Sequence, residues 1–533
     1  MQPPFSRTAY ELLLEQAQRA PDALAVITRT ESTTYQALAQ RAGRVAAALR
    51  SRGIRRGDAI GLILDNRIEW LEIFFGAAAL GAVVVPFSTW SKRAELDFLL
   101  RDSGVRCLFS LDRFGDQEFA RDIAALLQDR RRFPRLEQLV LLGAEPMAGW
   151  APYSAFRDCA PLEPLPPGEG ASARDTALVL YTSGSSSRPK AVPLDHFGII
   201  ENGFNIGERQ GLRPADRVLV APPLFWAYGG INALPATLTH GATLVLQSRF
   251  EPGEALDLIE RFACTSIYTL PAMTNALLAH PQFSRERTRS LRTGLTIGSP
   301  QDVVKAAEQL GAHEICNVYG QTETYGNCCV TWHHWPLERR AACQGHPLPG
   351  VSVRIVDPQS GETCAPGEQG HVEVKGYQMR SYAGASAAQS AGAFSVDGYF
   401  RTGDLGSLAE DGTFMFAGRT SEMIKRSGIN VSPAEIEDIL QQHPQVGLAG
   451  VTGLPDVEKG EIIIAFVVPK PGSAPAPEAL IAHCRAMASR YKIPDRIAIS
   501  DALPLTVTGK VMRRELKALA EQRYATPAKP GGS

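Results

Sequence analysis

"ALVLYTSGSSSRPKAVPLDH", residues 177–196, begins as an apolar strand and becomes a run of small hydroxyl residues ending in Arg188, Pro189 and Lys190. Backbone N–H groups between a strand and a helix can converge on the oxygens of an anion, and glycine and serine let them approach closely. Lys190 adds one compact positive charge. On its own the stretch reads equally well as a solvated Ser-rich loop. Neither GxxxxGK[ST] nor GxGxxG occurs in it, so a nucleotide bound here is not held by a Walker or a Rossmann loop.

Outward from this loop the chain repeats one texture. Apolar, β-rich segments recur at 59–65, 82–87, 177–182, 217–223, 242–247, 266–271, 294–299 and 314–320, separated by helical patterns such as "PGEALDLIERFA". Such alternation predicts an α/β fold of helix-covered, mainly parallel sheets, more than one of them. Leu38, Ala42, Val45 and Leu49 share one helical face, with Thr34 placed to cap the start and Gly53 just past the end. The longest apolar run, Ile73 to Phe87, is interrupted by Gly76, Gly81 and Pro86. It falls short of the roughly 20 residues that cross a bilayer and reads as a buried helix followed by a strand.

From about residue 350 short strands and glycine turns ("GVSVRIVD", "GEQGHVEVKG", "DGTFMFAGR") predict a small antiparallel β subdomain over about 350–418. A small α/β unit comes next, with helices near 433–442 and 478–490. The expected organisation is an N-terminal domain over 1–420, a C-terminal domain over 421–525 and a disordered tail, "TPAKPGGS", over 526–533.

Composition narrows the function classes. A chain of 533 residues, 44% hydrophobic, can bury several cores. With 55 Lys and Arg against 56 Asp and Glu, its net charge of -1 offers no general attraction for nucleic acid or an anionic membrane. Nine cysteines show neither a CxxC pair nor metal spacing with histidine, which fits a reducing cytoplasm. The first residues lack the apolar core of an export signal.

Four further stretches come in order: "NVYGQTE" (317–323), "YFRTGDLG" (399–406), "AGRTSEMIKRSGINVSPAEIE" (417–437) and "LPLTVTGKVMRREL" (503–516). Together with the loop they make the chain resemble the adenylate-forming superfamily of acyl-CoA synthetases, stand-alone adenylation domains and beetle luciferases, and most of all its acid:CoA ligases. The resemblance runs from about Tyr35 to Arg514. It implies an enzyme that joins a carboxylate to the α-phosphate of ATP with Mg2+, releases pyrophosphate, and passes the acyl group to the thiol of CoA. The first step brings an anion toward a polyanion, so it calls for cations, a metal ligand and positioning more than for a covalent catalyst.

The resemblance also assigns roles. Thr182, Ser183, Gly184, Ser185, Ser186 and Lys190 would cradle the β- and γ-phosphates, and Glu323 would hold Mg2+, a hard cation suited to oxygen ligands. Gly298, Ser299 and Pro300 would line the adenine, Tyr319 beside Gly320 would cover its face, and Thr322 would reach the α-phosphate. Asp404 would take both ribose hydroxyls, supported by Arg419. Lys510, in a glycine turn before a basic helix, would swing toward the reacting carboxylate and the α-phosphate. Between steps the small C-terminal domain would rotate about Ser421, where relatives usually carry Asp or Lys, and present Lys425, Ser427, Gly428 and Ile429 to the pantetheine arm. Each residue also has a plain structural reading: Glu323 as a helix-start carboxylate, Tyr319 as a core aromatic, Asp404 as a turn residue and Lys510 as a solvated lysine.

The acid would enter beside "PPLFWAYGGI" (222–231), where Trp226 stands at a position that many relatives fill with His. Ala227, Tyr228, Gly229, Val318 and Tyr325 would complete the acyl pocket. Flat apolar walls suggest a bulky, largely non-polar acid. No Asp stands where amino-acid activators bind the substrate ammonium. Read structurally, Trp226 is a core plug.

The family's loop is close to [ST]SG[ST]TGxPKG, and here two of its glycines are Ser187 and Ala191. If either position needs left-handed backbone, a Cβ there costs about 1–2 kcal/mol. That opens a second reading, an enzyme that adenylates weakly and converts a preformed acyl-adenylate, delivered by a partner enzyme, into acyl-CoA. A third is an enzyme that loads an acyl carrier protein through the same pantetheine arm. An inert nucleotide-binding scaffold would have lost Lys510 or Glu323, and both are present.

Overall fold

The computed structural model describes residues 2–524 apart from 144–145, 162–169, 183–188, 427–428, 457–458, 489–491 and 507–508. The chain forms two compact units, Met1–Ser352 with Val374–Phe400, and Val353–Glu373 with Arg401–Ser533.

Two sheets carry the first unit. In the nine-stranded sheet six strands run parallel, in the spatial order Leu24–Ile27, Thr243–Leu246, Arg217–Val220, Ser266–Tyr268, Thr293–Thr296 and Cys316–Tyr319. In the seven-stranded sheet Ala59–Ile63 lies between Val83–Pro86 and Cys107–Leu111, and Thr176–Thr182 pairs parallel with Val83–Pro86. Helices cover these strands, so strand residues such as Val218, Val220, Leu244 and Leu108 are buried without alternation. The helix Tyr35–Ser51 starts as its sequence predicts, the Thr34 hydroxyl accepting the Ala37 N–H at 3.2 Å. The helix Ile68–Leu80 is buried on nearly every side and ends at Gly81 in left-handed backbone before the strand Val83–Pro86.

The opening stretch differs from its sequence reading in one respect. The residues after its loop do not open a helix; Lys190–Asp195 form a strand paired antiparallel with Thr176–Thr182, with Thr182 opposite Lys190. The residues after Lys190 bury Ala191, Val192 and Leu194 in the core, which favours extended chain. Only then does the helix His196–Gln210 begin, with the Asp195 carboxylate accepting the Gly198 N–H at 2.8 Å.

The second unit holds most of a four-stranded sheet, ordered Ser352–Val356, Gly370–Lys375, Phe400–Leu408 and Phe414–Arg419, and a five-stranded sheet built on the hairpin Val446–Asp456 and Gly460–Pro469. Most of the antiparallel β strands thus lie in the same compact unit as the C-terminal residues. The expected tail over 526–533 lies outside the described residues. Among the described residues no helix is long and apolar enough to cross a membrane.

Candidate functional site

Parallel sheets bind ligands beyond the carboxyl ends of their strands. In the first unit those ends meet along a seam between the two sheets. Asn66, just past Ala59–Ile63, donates to the carbonyls of Val220 and Pro222 at 3.3 and 3.0 Å and accepts the Leu224 N–H at 2.8 Å. Ser248, past Thr243–Leu246, donates to Asp65 at 2.5 Å. Trp90, past Val83–Pro86, meets Trp226 edge-on at 4.8 Å and Phe225 at 5.5 Å. Thr182 donates to Glu323, four residues past Tyr319, at 3.5 Å. Each crossing ties the end of a strand in one sheet to the end of a strand in the other.

Glu323 is buried, and its Oε1 accepts from the Thr182 hydroxyl and from the Tyr382 phenol, the latter at 3.1 Å. Burial first, then the charge of Glu323 and the hydrogen bond to it, hold the Tyr382 phenol above its ordinary pKa, so it stays a donor. The Lys190 ammonium lies 4.9 Å over the Tyr382 ring. Oε2 of Glu323 makes no hydrogen bond to another described residue. One carboxylate oxygen left for a cation fits Mg2+, which prefers oxygen ligands and keeps waters. Among the described residues no cluster of three or more His, Cys, Asp or Glu could hold a metal without such substrate oxygens.

Tyr382 belongs to a segment that docks across the seam. Met379 donates its N–H to the Glu323 carbonyl at 2.7 Å, and Ala383 donates to the Ala191 carbonyl at 2.9 Å. The Ser386 hydroxyl accepts the Ala191 N–H at 3.1 Å. Ala385 donates to Asp102 at 2.6 Å, and the other oxygen of Asp102 takes the Tyr181 phenol at 2.6 Å.

These contacts correct the expectation for Ala191. It lies in strand backbone, buried, with both peptide groups bonded. Among the described non-glycine residues only Ala263 and Tyr325 have positive φ. A methyl group at 191 therefore costs no left-handed strain. Ser187, together with Ser183, Gly184, Ser185 and Ser186, lies outside the described residues.

The acyl-pocket candidates divide. Trp226 is half-buried and shares its rim with Trp90 and Phe225. It enters a wide i→i+5 helical turn, Ala227–Ala233, in which Gly229 and Gly230 pass so close to the carbonyls of Pro223 and Leu224 that a Cβ cannot fit. Tyr228 is buried beneath, its hydroxyl donating to the Thr269 carbonyl at 3.1 Å. Val318 is buried in its strand. Tyr325 turns away: its hydroxyl bonds Asp195, and its ring occupies the space where a Gly198 side chain would stand. It borders a separate cavity of about 390 Å³ with Arg174, Asp195, Tyr377 and Arg380.

Gly298, Ser299 and Pro300 come after Thr293–Thr296 and start a helix, the Ser299 hydroxyl and N–H both engaged by Asp302. Tyr319 is buried at its strand end, Gly320 packs against the Gly326 carbonyl, and Thr322 opens a single 3-10 turn.

The second unit holds the remaining candidates. Asp404 and Arg419 stand directly opposite on paired strands, Arg419 Nε 3.3 Å from Asp404 Oδ1. Lys510 is preceded by Gly509, whose left-handed backbone closes a turn in which Thr506 and Lys510 exchange two hydrogen bonds, Thr506 N–H to the Lys510 carbonyl at 2.7 Å and Lys510 N–H to Thr506 Oγ1 at 3.1 Å. The residue keeps exposed surface, yet burial first and the nearby Arg419 charge second lower its ammonium pKa, while Glu422 and Asp404 raise it. Three residues on, Arg513 is clamped by the buried Glu437, which also accepts the Val451 N–H at 2.6 Å. Ser421 lies in the short turn Thr420–Glu422; Lys425 and Ile429 lie on two paired antiparallel strands, and Ser427 and Gly428 are outside the described residues.

Sequence reasoning missed Trp90, Tyr382, Ser386 and Asp102. For Trp90 there was one signal, a tryptophan in a polar loop directly after a β-rich segment; the others carried none.

Comparison with known proteins shows the family. The AMP-binding enzyme model matches residues 13–382 and the AMP-binding enzyme C-terminal domain model matches 435–510. A putative acyl-CoA synthetase, YngI of Bacillus subtilis, is 31% identical over 531 residues, covering 96% of each chain. A feruloyl-CoA synthase of Amycolatopsis is 34% identical over 510 residues, covering 95% of this chain and 97% of its own. The crystal structure of the anthranilate CoA ligase AuaEII with anthranoyl-AMP superposes with a TM-score of 0.86 at 28% identity, over 98% of this chain and 99% of that one.

Proposed function

This chain belongs to the AMP-binding enzyme family as an ATP-dependent, AMP-forming acid–thiol ligase, and from that premise we propose that it activates a bulky, flat, largely apolar carboxylic acid and transfers it to CoA. The observation that carries the substrate class is the Trp90–Trp226 contact at 4.8 Å, with Phe225 behind it, on the rim where the strand ends meet. Such a rim offers a planar acyl group aromatic edges and faces and offers no charge to an ammonium. The feruloyl-CoA synthase and the anthranilate ligase act, by their names, on acids of that shape.

In the first step ATP and the acid must be held with the carboxylate in line with the α-phosphate. Thr182 and Lys190 would hold the outer phosphates, and Glu323 would hold Mg2+, which offsets phosphate charge when bound. Asp404 would accept the ribose hydroxyls, held square by Arg419 across the strand pair. Lys510 would offer its ammonium to the developing negative charge. For transfer, the backbone of the Lys425–Ile429 hairpin would guide the pantetheine arm. The strain-free setting of Ala191 supports full adenylation over the transfer-only alternative.

The test incubates the protein with Mg-ATP, CoA and a panel of aromatic, alicyclic and linear acids, following AMP and acyl-CoA separately, and repeats it with synthetic acyl-adenylates and with a carrier protein in place of CoA. Aromatic acids should give AMP and acyl-CoA in equal amounts. Turnover confined to linear acids would overturn the substrate class, and acyl-CoA only from preformed adenylates would overturn the adenylation step.

A further inference from the structure

We propose that residues 379–386 form a strap that positions two parts of the phosphate site at once, and that Tyr382 is its positioning residue. This rests on the reading of Glu323 as the metal carboxylate and Lys190 as a phosphate ligand. Glu323 belongs to the end of one sheet and Lys190 to the hairpin of the other. A single side chain serves both: the Tyr382 hydroxyl donates to Glu323 Oε1 at 3.1 Å, and its ring face carries the Lys190 ammonium at 4.9 Å. The backbone on either side is fixed by four bonds, Met379 to Glu323, Ala383 to Ala191, Ala191 to Ser386, and Ala385 to Asp102.

The physical effect comes from the two oxygens of the carboxylate. A buried carboxylate with no donor is costly and rotates to find one. With Oε1 engaged by Tyr382 and Thr182, Oε2 is the oxygen left for a cation, and its direction is set before the cation arrives. The ring, by contrast, acts on Lys190, which bears on phosphate affinity with or without metal. The hydroxyl and the ring of one residue thus control two separable quantities.

The experiment measures binding of α,β-methylene-ATP, which cannot be cleaved at the α-phosphate, by calorimetry across a Mg2+ series. Tyr382→Phe keeps the ring and should raise the Mg2+ concentration for half-saturation about tenfold, the scale of one hydrogen bond to a charged group, with metal-free affinity within about twofold of wild type. Tyr382→Leu should weaken metal-free binding as well, by about threefold to fivefold. If Tyr382→Phe does not fold, Ser386→Ala should show the same Mg2+ shift at about threefold. Unchanged Mg2+ half-saturation in the folded variants overturns the strap. A wild-type protein that binds the analogue equally with and without Mg2+, and forms no AMP from any acid, would instead overturn the reading of the site on which the strap depends.

Discussion

Glu323 and Lys510 are expected at one reaction, but the fold holds them in opposite ways. Glu323 is buried and takes donors from the facing sheet and from a strap: Thr182, 141 residues away, and Tyr382, 59 residues away. Lys510 sits on a turn closed by its own neighbours, Thr506 and Gly509, and the helix Arg513–Tyr524 beyond it is anchored at its start by the Arg513–Glu437 pair and the Arg513 bond to the Val451 carbonyl. A group fixed by long-range contacts is set once, when the domain folds. A group on a short local turn can travel with its unit without disturbing its own support. The contrast suits a step that needs a rigid phosphate site and a cation required for only part of the cycle.

The strongest challenge to that contrast is Lys510→Ala. One charge about 4 Å from the developing anion, at an effective dielectric of about 20, is worth up to about 4 kcal/mol, so ATP-dependent adenylate formation should fall up to about a thousandfold. Transfer from a synthetic acyl-adenylate should fall far less, and equal losses in both assays would erase the distinction. Next in size, Glu323→Gln should lower adenylate formation about a hundredfold, and raising Mg2+ should restore only part of it. Because Glu323 is tied into the core, its thermal midpoint should drop as well; that of Lys510→Ala should not. Trp226→Ala should cost about tenfold in kcat/KM for flat acids and little for short linear ones, through lost aromatic contact.

The smallest effect concerns stability. His196, at the start of the helix His196–Gln210, is buried, and burial pushes its pKa down to about 4 from 6.5. The unfolded chain binds that proton at higher pH than the folded one. The contribution is therefore complete above about pH 6.5 and lost as pH falls toward 4, at most about 3 kcal/mol. Denaturant unfolding at pH 7 and 5 should show the decline in wild type and a shallower one in His196→Phe.

Much of the fold and the site is legible in order along the chain. The parallel strands announce themselves as apolar runs, and the Asp404–Arg419 pair and the Lys510 turn lie within or beside short motifs whose geometry is local. The hairpin escapes a sequence reading because a strand of six residues after a Ser-rich loop looks like the lead-in to the helix that comes next. Trp90, Tyr382 and Ser386 are invisible for another reason. Their meaning lies in partners 136, 59 and 195 residues away, Trp226, Glu323 and Ala191, and a sequence read without the fold carries no sign of such pairs.

The wide turn at Ala227–Ala233 limits how this enzyme can diversify. Since Gly229 and Gly230 lie against the carbonyls of Pro223 and Leu224, no larger residue can be accepted there without rebuilding the loop. A laboratory selection for activity on new acids should therefore gather its mutations at positions 90, 225 and 226 and leave both glycines untouched.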